Sequence, residues 1–328
     1  MRILFFGTAT FAVASLKALL DRPEHKVIGV VTQPDRARGR GGKFATSPVK
    51  DFAVAHELTI YQPEKVRTKE FRQVVRDLAP DVLVVAAFGQ IISQRMLDIP
   101  PFGGINVHGS LLPRWRGAAP IQYALMCGDA QTGVTTMQMD AGLDTGDMLL
   151  AGALTLTDED NYGTVEEKLS VIGADLLIET LSRLQDGNCP RQPQDADQVT
   201  LAPPLPPDVG QFDWTRSARD LHNLMRGVTP KPGAYTLFGG KRLKILRTAV
   251  APASNEARLP GTIESIGREG ITVGTGEGNL TLIEVQPESK GSMPADAWAR
   301  GARLVIGQSF DPLPAESGKA ELINGCAG

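Results

Sequence analysis

Short runs of apolar, β-branched residues alternate with stretches of helical periodicity through the first 150 residues. Candidate strands fall at residues 2–6, 26–32, 58–61, 81–87 and 104–107. Helical spacing of apolar positions marks 11–20, 48–57, 68–78 and 118–126. Strands covered by helices on both faces read as near-continuous apolar runs, so this alternation predicts an α/β fold: a doubly wound, mostly parallel, Rossmann-like sheet. Ligands of such sheets bind beyond the carboxyl ends of the strands. Residues 134–139 and 148–156 read as two further strands. A long amphipathic helix then covers 164–184, with Val165, Leu169, Ile172, Leu176 and Leu184 on its core face.

The pattern changes after that helix. Residues 187–208 are rich in Pro, Gln and Asp, with Pro203, Pro204, Pro206 and Pro207 close together, a composition that favours extended, semi-rigid linkage. The expected organisation is a first domain at 1–189, a linker at 190–207, a second domain at 208–310 and a flexible tail at 311–328. Within the second domain a helix at 215–225 precedes short apolar runs at 234–238, 243–249, 261–266, 270–274, 280–285 and 303–306. Strands at this spacing predict a small β-barrel, with an OB-like one among the candidates.

A chain of 328 residues is long enough for two cores, and 42% apolar and 22% charged residues are ordinary values for globular proteins. No uninterrupted apolar run approaches the ~20 residues of a membrane span. The N-terminus runs directly into a strand without a basic leader, so a cytoplasmic protein with no membrane role is expected. Cys127, Cys189 and Cys326 are odd in number and far apart, which fits reduced thiols better than a disulfide framework or a zinc site. Net charge is -3, with 20 basic against 24 acidic residues in 1–206 and 13 against 10 in 207–310. The second domain is therefore mildly basic, a weak sign of contact with phosphates.

The densest chemistry lies at residues 104–113. Residues two apart in a strand point the same way, so Asn106 and His108 project together near a carboxyl end, and Gly109 permits a sharp turn after them. An amide beside an imidazole can supply two hydrogen bonds to one oxygen, as acyl transfer requires when a carbonyl becomes an oxyanion. A turn-capping Asn and a satisfied buried His are the competing explanation. The carboxylate preferred as their partner is Asp144, between Leu143 and Thr145-Gly146 in a loop that also holds Asp140 and Asp147. Aspartates in turns commonly bond their own backbone, whereas one beside His108 would orient the ring. No nucleophile elbow, His-Glu-x-x-His pair, Walker loop or GxGxxG is present, which disfavours covalent, zinc and dinucleotide chemistry. Direct acyl transfer between two bound substrates is the reading left.

The run Asn106-Val107-His108-Gly109-Ser110-Leu111-Leu112-Pro113, continued by Arg114-Trp115-Arg116-Gly117-Ala118-Ala119-Pro120, resembles the signature of the methionyl-tRNA formyltransferase family. The resemblance extends through Gly142-Leu143-Asp144-Thr145-Gly146-Asp147, Thr32-Gln33-Pro34-Asp35-Arg36, Asp213-Trp214 and Pro232-Gly233-Ala234-Tyr235, and so covers nearly the whole chain. It implies 10-formyltetrahydrofolate as co-substrate, no metal, and the α-amino group of initiator methionyl-tRNA as acceptor, with the enzyme acting as a monomer. It implies Asn106, His108 and Asp144 as the catalytic trio and Ser110, Leu111, Leu112 and Pro113 as lining for the folate. The loop from Gln33 to Lys50 resembles an insertion that reaches the tRNA acceptor stem, with Arg40 the principal contact and Arg36, Arg38 and Lys43 beside it; Lys50 adds a fifth basic residue. Two positions depart from the family pattern: Ala9 stands where proline is frequent, and Pro203 where a lysine tends to follow the alanine. The alternatives kept open are a folate-dependent formyltransferase or hydrolase with a small acceptor, and a catalytically silent RNA-binding protein.

Overall fold

Five consecutive buried residues follow the exposed Arg2 in strand β1 (Arg2–Gly7), the pattern of a strand covered on both faces. In the computed structural model, which describes residues 1–38, 43–251 and 259–312, this strand belongs to a seven-stranded sheet. The chain continues through α1 (Phe11–Leu20), β2 (Lys26–Val31), a hairpin of β3 (Arg36–Arg38) and β4 (Lys43–Ala45), α2 (Pro48–Ala55) and β5 (Ile60–Tyr61). Next come α3 (Lys69–Leu78), β6 (Val82–Ala86), the single turn α4 (Gln94–Leu97) and β7 (Gly104–His108). After β8 (Arg116–Gly117) and α5 (Pro120–Met126) follow β9 (Gln131–Gln138), β10 (Met148–Thr155), α6 (Tyr162–Gln185) and β11 (Leu201–Ala202).

The sheet order is β10-β9-β7-β6-β1-β2-β5. Pairing is parallel from β7 to β5, and β9 and β10 add an antiparallel edge. The doubly wound, mostly parallel sheet is thus as expected, and β7 stands between its parallel and antiparallel parts. One core cluster gathers Leu4, Phe6, Val31, Leu83 and Val85 of the strands with Phe71 and Val75 of α3. Capping explains where that helix begins: the Thr68 hydroxyl accepts the Phe71 N–H at 3.2 Å, one residue later than the periodicity predicted. Leu58–Tyr61 shrinks to two paired residues, because only Ile60 and Tyr61 lie beside β2.

Two compact units are formed. The first takes residues 1–120, 131–155 and 166–203; the second takes 121–130, 156–165 and everything from 204 onward. Residues 190–203, read in the sequence as linker, therefore belong with the first unit, where β11 pairs in parallel with β8.

In the second unit, α7 (Ala218–Val228) is capped by Ser217, which accepts the Asp220 N–H at 3.0 Å and so starts the helix three residues later than predicted. The strands are β12 (Ala234–Phe238), β13 (Lys241–Ala251), β14 (Ile263–Gly267), β15 (Gly270–Gly274), β16 (Asn279–Pro287) and β17 (Met293–Pro294), before α8 (Ala295–Ala302). They form one antiparallel sheet in the order β12-β13-β16-β15-β14, with β17 on β16, consistent with the small barrel expected. Residues 303–306 are not the strand predicted. Arg303 adopts a left-handed conformation that ends α8, and Val305 and Ile306 point to solvent.

No helix among the described residues is long and apolar enough to cross a membrane. Of the cysteines expected as reduced thiols, Cys189 is free, with burial pushing its thiol pKa up. Cys326 lies outside the described residues.

Candidate active site

Strand β7 ends at the carboxyl edge of the sheet, and its alternation fixes the first two site residues. Asn106 is paired with Val85 and Met137, and His108 with Thr135, two positions further on. Asn106 is half-buried and His108 is 5% exposed. The ring of His108 is anchored from behind: its Nε2 lies 2.9 Å from the carbonyl oxygen of Trp115. A carbonyl can only accept, so Nε2 carries a hydrogen and Nδ1 is the nitrogen left to face the site.

Asp144 reaches that same place from the loop between β9 and β10. Its Oδ1 accepts a hydrogen bond from Asn106 Nδ2 at 3.3 Å, and its Oδ2 lies 3.7 Å from His108 Nδ1. The backbone N–H of Gly117 also donates to Oδ2, at 2.9 Å. The loop closes locally through Asp140, whose Oδ1 accepts from the Gly142 N–H and the Thr145 hydroxyl at 3.0 and 2.6 Å. Thus Asp140 spends its carboxylate on the turn, whereas Asp144, at a φ of +53°, turns its carboxylate to the strand end. The amide, the imidazole and the carboxylate singled out in the sequence are brought together.

Ser110 to Pro113 form the loop that leaves β7. Ser110 is fully buried and donates to the Arg114 carbonyl at 2.6 Å. Thr135 pins the loop to β9 by donating to the Ser110 carbonyl at 2.8 Å and accepting the Leu112 N–H at 3.1 Å. Leu112 is 7% exposed, and Leu111 and Pro113 are half-buried. Among the basic residues after β2, Arg36 is exposed at the start of the β3–β4 hairpin. The backbones of Arg38 and Lys43 pair across that hairpin, and Arg40 lies outside the described residues. Lys50 has a local partner: its Nζ is 2.5 Å from Asp35 Oδ2, and Gln62 donates to Oδ1 at 2.9 Å. These two hydrogen bonds, Lys50 first, hold the Asp35 carboxyl below its usual pKa.

Three residues that shape the site carry no role in the sequence reading. Gly117 supplies the N–H on Asp144 and stands at a φ of +124°, with the Ala202 carbonyl 2.5 Å from where a Cβ would be. Thr200 accepts the Trp115 N–H at 2.9 Å. Gln194 donates from Nε2 to the carbonyls of Asp144 and Gly146, each at 2.8 Å, and its Oε1 accepts from Arg116 Nε at 2.9 Å. Gly117 sits inside the quoted signature, which was the one available signal; Gln194 and Thr200 fall in the presumed linker. No group of three or more His, Cys, Asp or Glu among the described residues could hold a metal ion.

The chain matches two family models, "Formyl transferase" over residues 1–181 and "Formyl transferase, C-terminal domain" over 204–303. It is 46% identical over 308 residues to the methionyl-tRNA formyltransferase of Acetivibrio thermocellus, covering 94% of this chain and 99% of that one. With the methionyl-tRNA formyltransferase of Geobacter sulfurreducens it shares 47% identity over 307 residues, 94% and 96% of the two chains. Among solved structures, the sugar 3N-formyl transferase WlaRD matches with a TM-score of 0.63 at 16% identity, over 89% of this chain and 99% of that one. HypX from Aquifex aeolicus in complex with tetrahydrofolic acid matches with a TM-score of 0.60 at 15% identity, over 95% of this chain. The chain spans about half of HypX, 49% of its length, and both structural likenesses concern the fold.

Proposed function

The chain belongs to the methionyl-tRNA formyltransferase family, and from that premise we propose how its own residues move a formyl group from 10-formyltetrahydrofolate to the α-amino group of methionyl-tRNA. The observation that carries the proposal is the meeting of Asn106 Nδ2, His108 Nδ1 and the Asp144 carboxylate at one strand end.

The co-substrate supplies the formyl carbonyl carbon that the amine attacks. Asn106 Nδ2 donates to the oxygen on which negative charge gathers. His108, with Nε2–H held by the Trp115 carbonyl, donates from a protonated Nδ1 to the same oxygen. Asp144 keeps the imidazole oriented and receives the amine's proton through an intervening water; as the oxyanion collapses to the carbonyl, the bond from the formyl carbon to N10 of the co-substrate breaks and N10 leaves carrying a proton returned through the same water. Its grip on the Gly117 N–H keeps the carboxylate in place while the proton moves. No residue forms a bond to the acyl group, in keeping with the lack of a nucleophile elbow. The Ser110 to Pro113 loop, held by Thr135 next to His108, lines the folate.

For the acceptor, the proposed phosphate contacts are Arg40 with Arg36, Arg38 and Lys43, on a segment that starts at the carboxyl end of β2. Lys50 is left out of that set, because Asp35 engages its ammonium. The finer parts of the reading are that the acceptor is the initiator tRNA, that one copy of the chain suffices, and that it works in the cytoplasm. The catalytic role is placed on the first unit, residues 190–203 included, and tRNA binding on the domain at 208–310. The test is formylation by the purified protein with 10-formyltetrahydrofolate and methionine charged on initiator or on elongator tRNA. Formylmethionine is expected on the initiator, and its absence there contradicts the reading.

A further inference from the structure

Asp144 is a non-glycine residue in the left-handed region, a conformation that side chains disfavour and that persists only where the surroundings enforce it. Its carboxylate is engaged by Asn106 and Gly117, but its main chain is engaged by one side chain only among the described hydrogen bonds, that of Gln194. The two hydrogens of Gln194 Nε2 go to the carbonyls of Asp144 and Gly146, on either side of Thr145. Its Oε1 accepts from Arg116 Nε, so the amide has one orientation: an oxygen facing the two carbonyls would meet acceptors only. Arg116 and Gly117 in turn lie in β8, paired with Leu201 and Ala202 of β11. One short segment thus holds Asp144 twice, by its carboxylate through Gly117 and by its backbone through Arg116 and Gln194.

We propose that Gln194 is a positioning residue for the formyl transfer reaction, fixing the backbone of Asp144 so that its carboxylate faces Asn106 and His108. This rests on the reading of Asp144 as the proton acceptor. Gln194 is half-buried and outside the core, so its substitution leaves folding intact while freeing the loop from 144 to 146. A displacement of the order of an ångström at a reacting group is enough to cost about a hundredfold in rate.

Gln194→Met keeps the length of the side chain and removes both donors. Gln194→Glu, as a second variant, retains the partner for Arg116 but sets a carboxylate against two carbonyls. Each is measured in the parent protein and in an Asp144→Asn background, by single-turnover formylation and by KM for both substrates. In the parent, kcat is expected to fall by about tenfold to a hundredfold, with both KM values within about twofold. In the Asp144→Asn background the same substitution should cost less than about twofold, because the group it positions is gone. An equal loss in both backgrounds, or a parent kcat within about twofold of normal, overturns the role of Gln194. Near-normal turnover in Asp144→Asn alone would remove the reading of Asp144 itself, a result distinct from additivity.

Discussion

Gly117 shows how one backbone position controls a side chain elsewhere. Its N–H is the shortest hydrogen bond to the Asp144 carboxylate, and its φ of +124° belongs to the region that glycine alone adopts with ease. Gly117→Ala would place a Cβ 2.5 Å from the Ala202 carbonyl, so β8 must shift and carry the N–H with it. The expected result is a loss of roughly 1–3 kcal/mol in stability, together with a kcat lower by about tenfold or more. Denaturant unfolding and steady-state formylation check the two effects; a variant within about twofold of the parent in kcat would separate Gly117 from the mechanism. At this scale the sequence was informative where a period applied. Asn106 and His108 followed from the two-residue repeat of a strand ending at Gly109. Asp144 was one of three aspartates in a turn, and only the folded loop shows that Asp140 serves the turn while Asp144 serves the site. Gln194 was illegible because an isolated glutamine in a proline-rich stretch has no pattern. Its partners are 50 and 78 positions away in the chain.

At the scale of elements, legibility tracked burial on both faces. Strands β1 and β6 are near-continuous apolar runs, and their positions, like that of β7, followed from the sequence to within a residue. The β8–β11 pair has two residues on each side and no apolar run, so nothing in the sequence marked it. Helix α8 was missed because the buried Ala295 and Ala299 give only one repeat of its face, while Val305 and Ile306 imitated a strand beyond it. Helix α7 carries a titratable residue in its buried face. His222 Nε2 lies 3.2 Å from the Asp158 carbonyl and Nδ1 is 2.8 Å from the Thr248 hydroxyl, which suits a neutral ring. Burial, and then the nearby Arg226, lower its pKa from the ordinary 6.5. The unfolded chain therefore binds a proton here more readily than the folded one. The stability linked to this ring is complete above pH 6.5 and is lost as the pH falls from there toward the lowered native value. Denaturant unfolding between neutral and mildly acidic pH should show this fall in the parent and a shallower one in His222→Gln; parallel curves would contradict it.

For the whole molecule, the question is how two substrates of unlike size meet one strand end. The parallel sheet presents its carboxyl edge, and β7 lies where the antiparallel strands begin, so the loops after β7 and β9 converge there. The mildly basic balance of 13 against 10 in residues 207–310 and the arginines at 36, 38 and 40 suit a large anionic acceptor. Composition alone could not have separated that acceptor from a small one; the extent of the family match did. The central claim is that Asn106, His108 and Asp144 together carry the formyl transfer. It is tested most directly by single-turnover formylation of methionyl-tRNA by Asn106→Ala, His108→Ala and Asp144→Asn, each shown by its unfolding curve to be folded. The account predicts that each loses about a hundredfold or more in rate, the loss of one oxyanion donor being worth roughly 3 kcal/mol. A folded Asp144→Asn that transfers formyl at nearly the parent rate would contradict it.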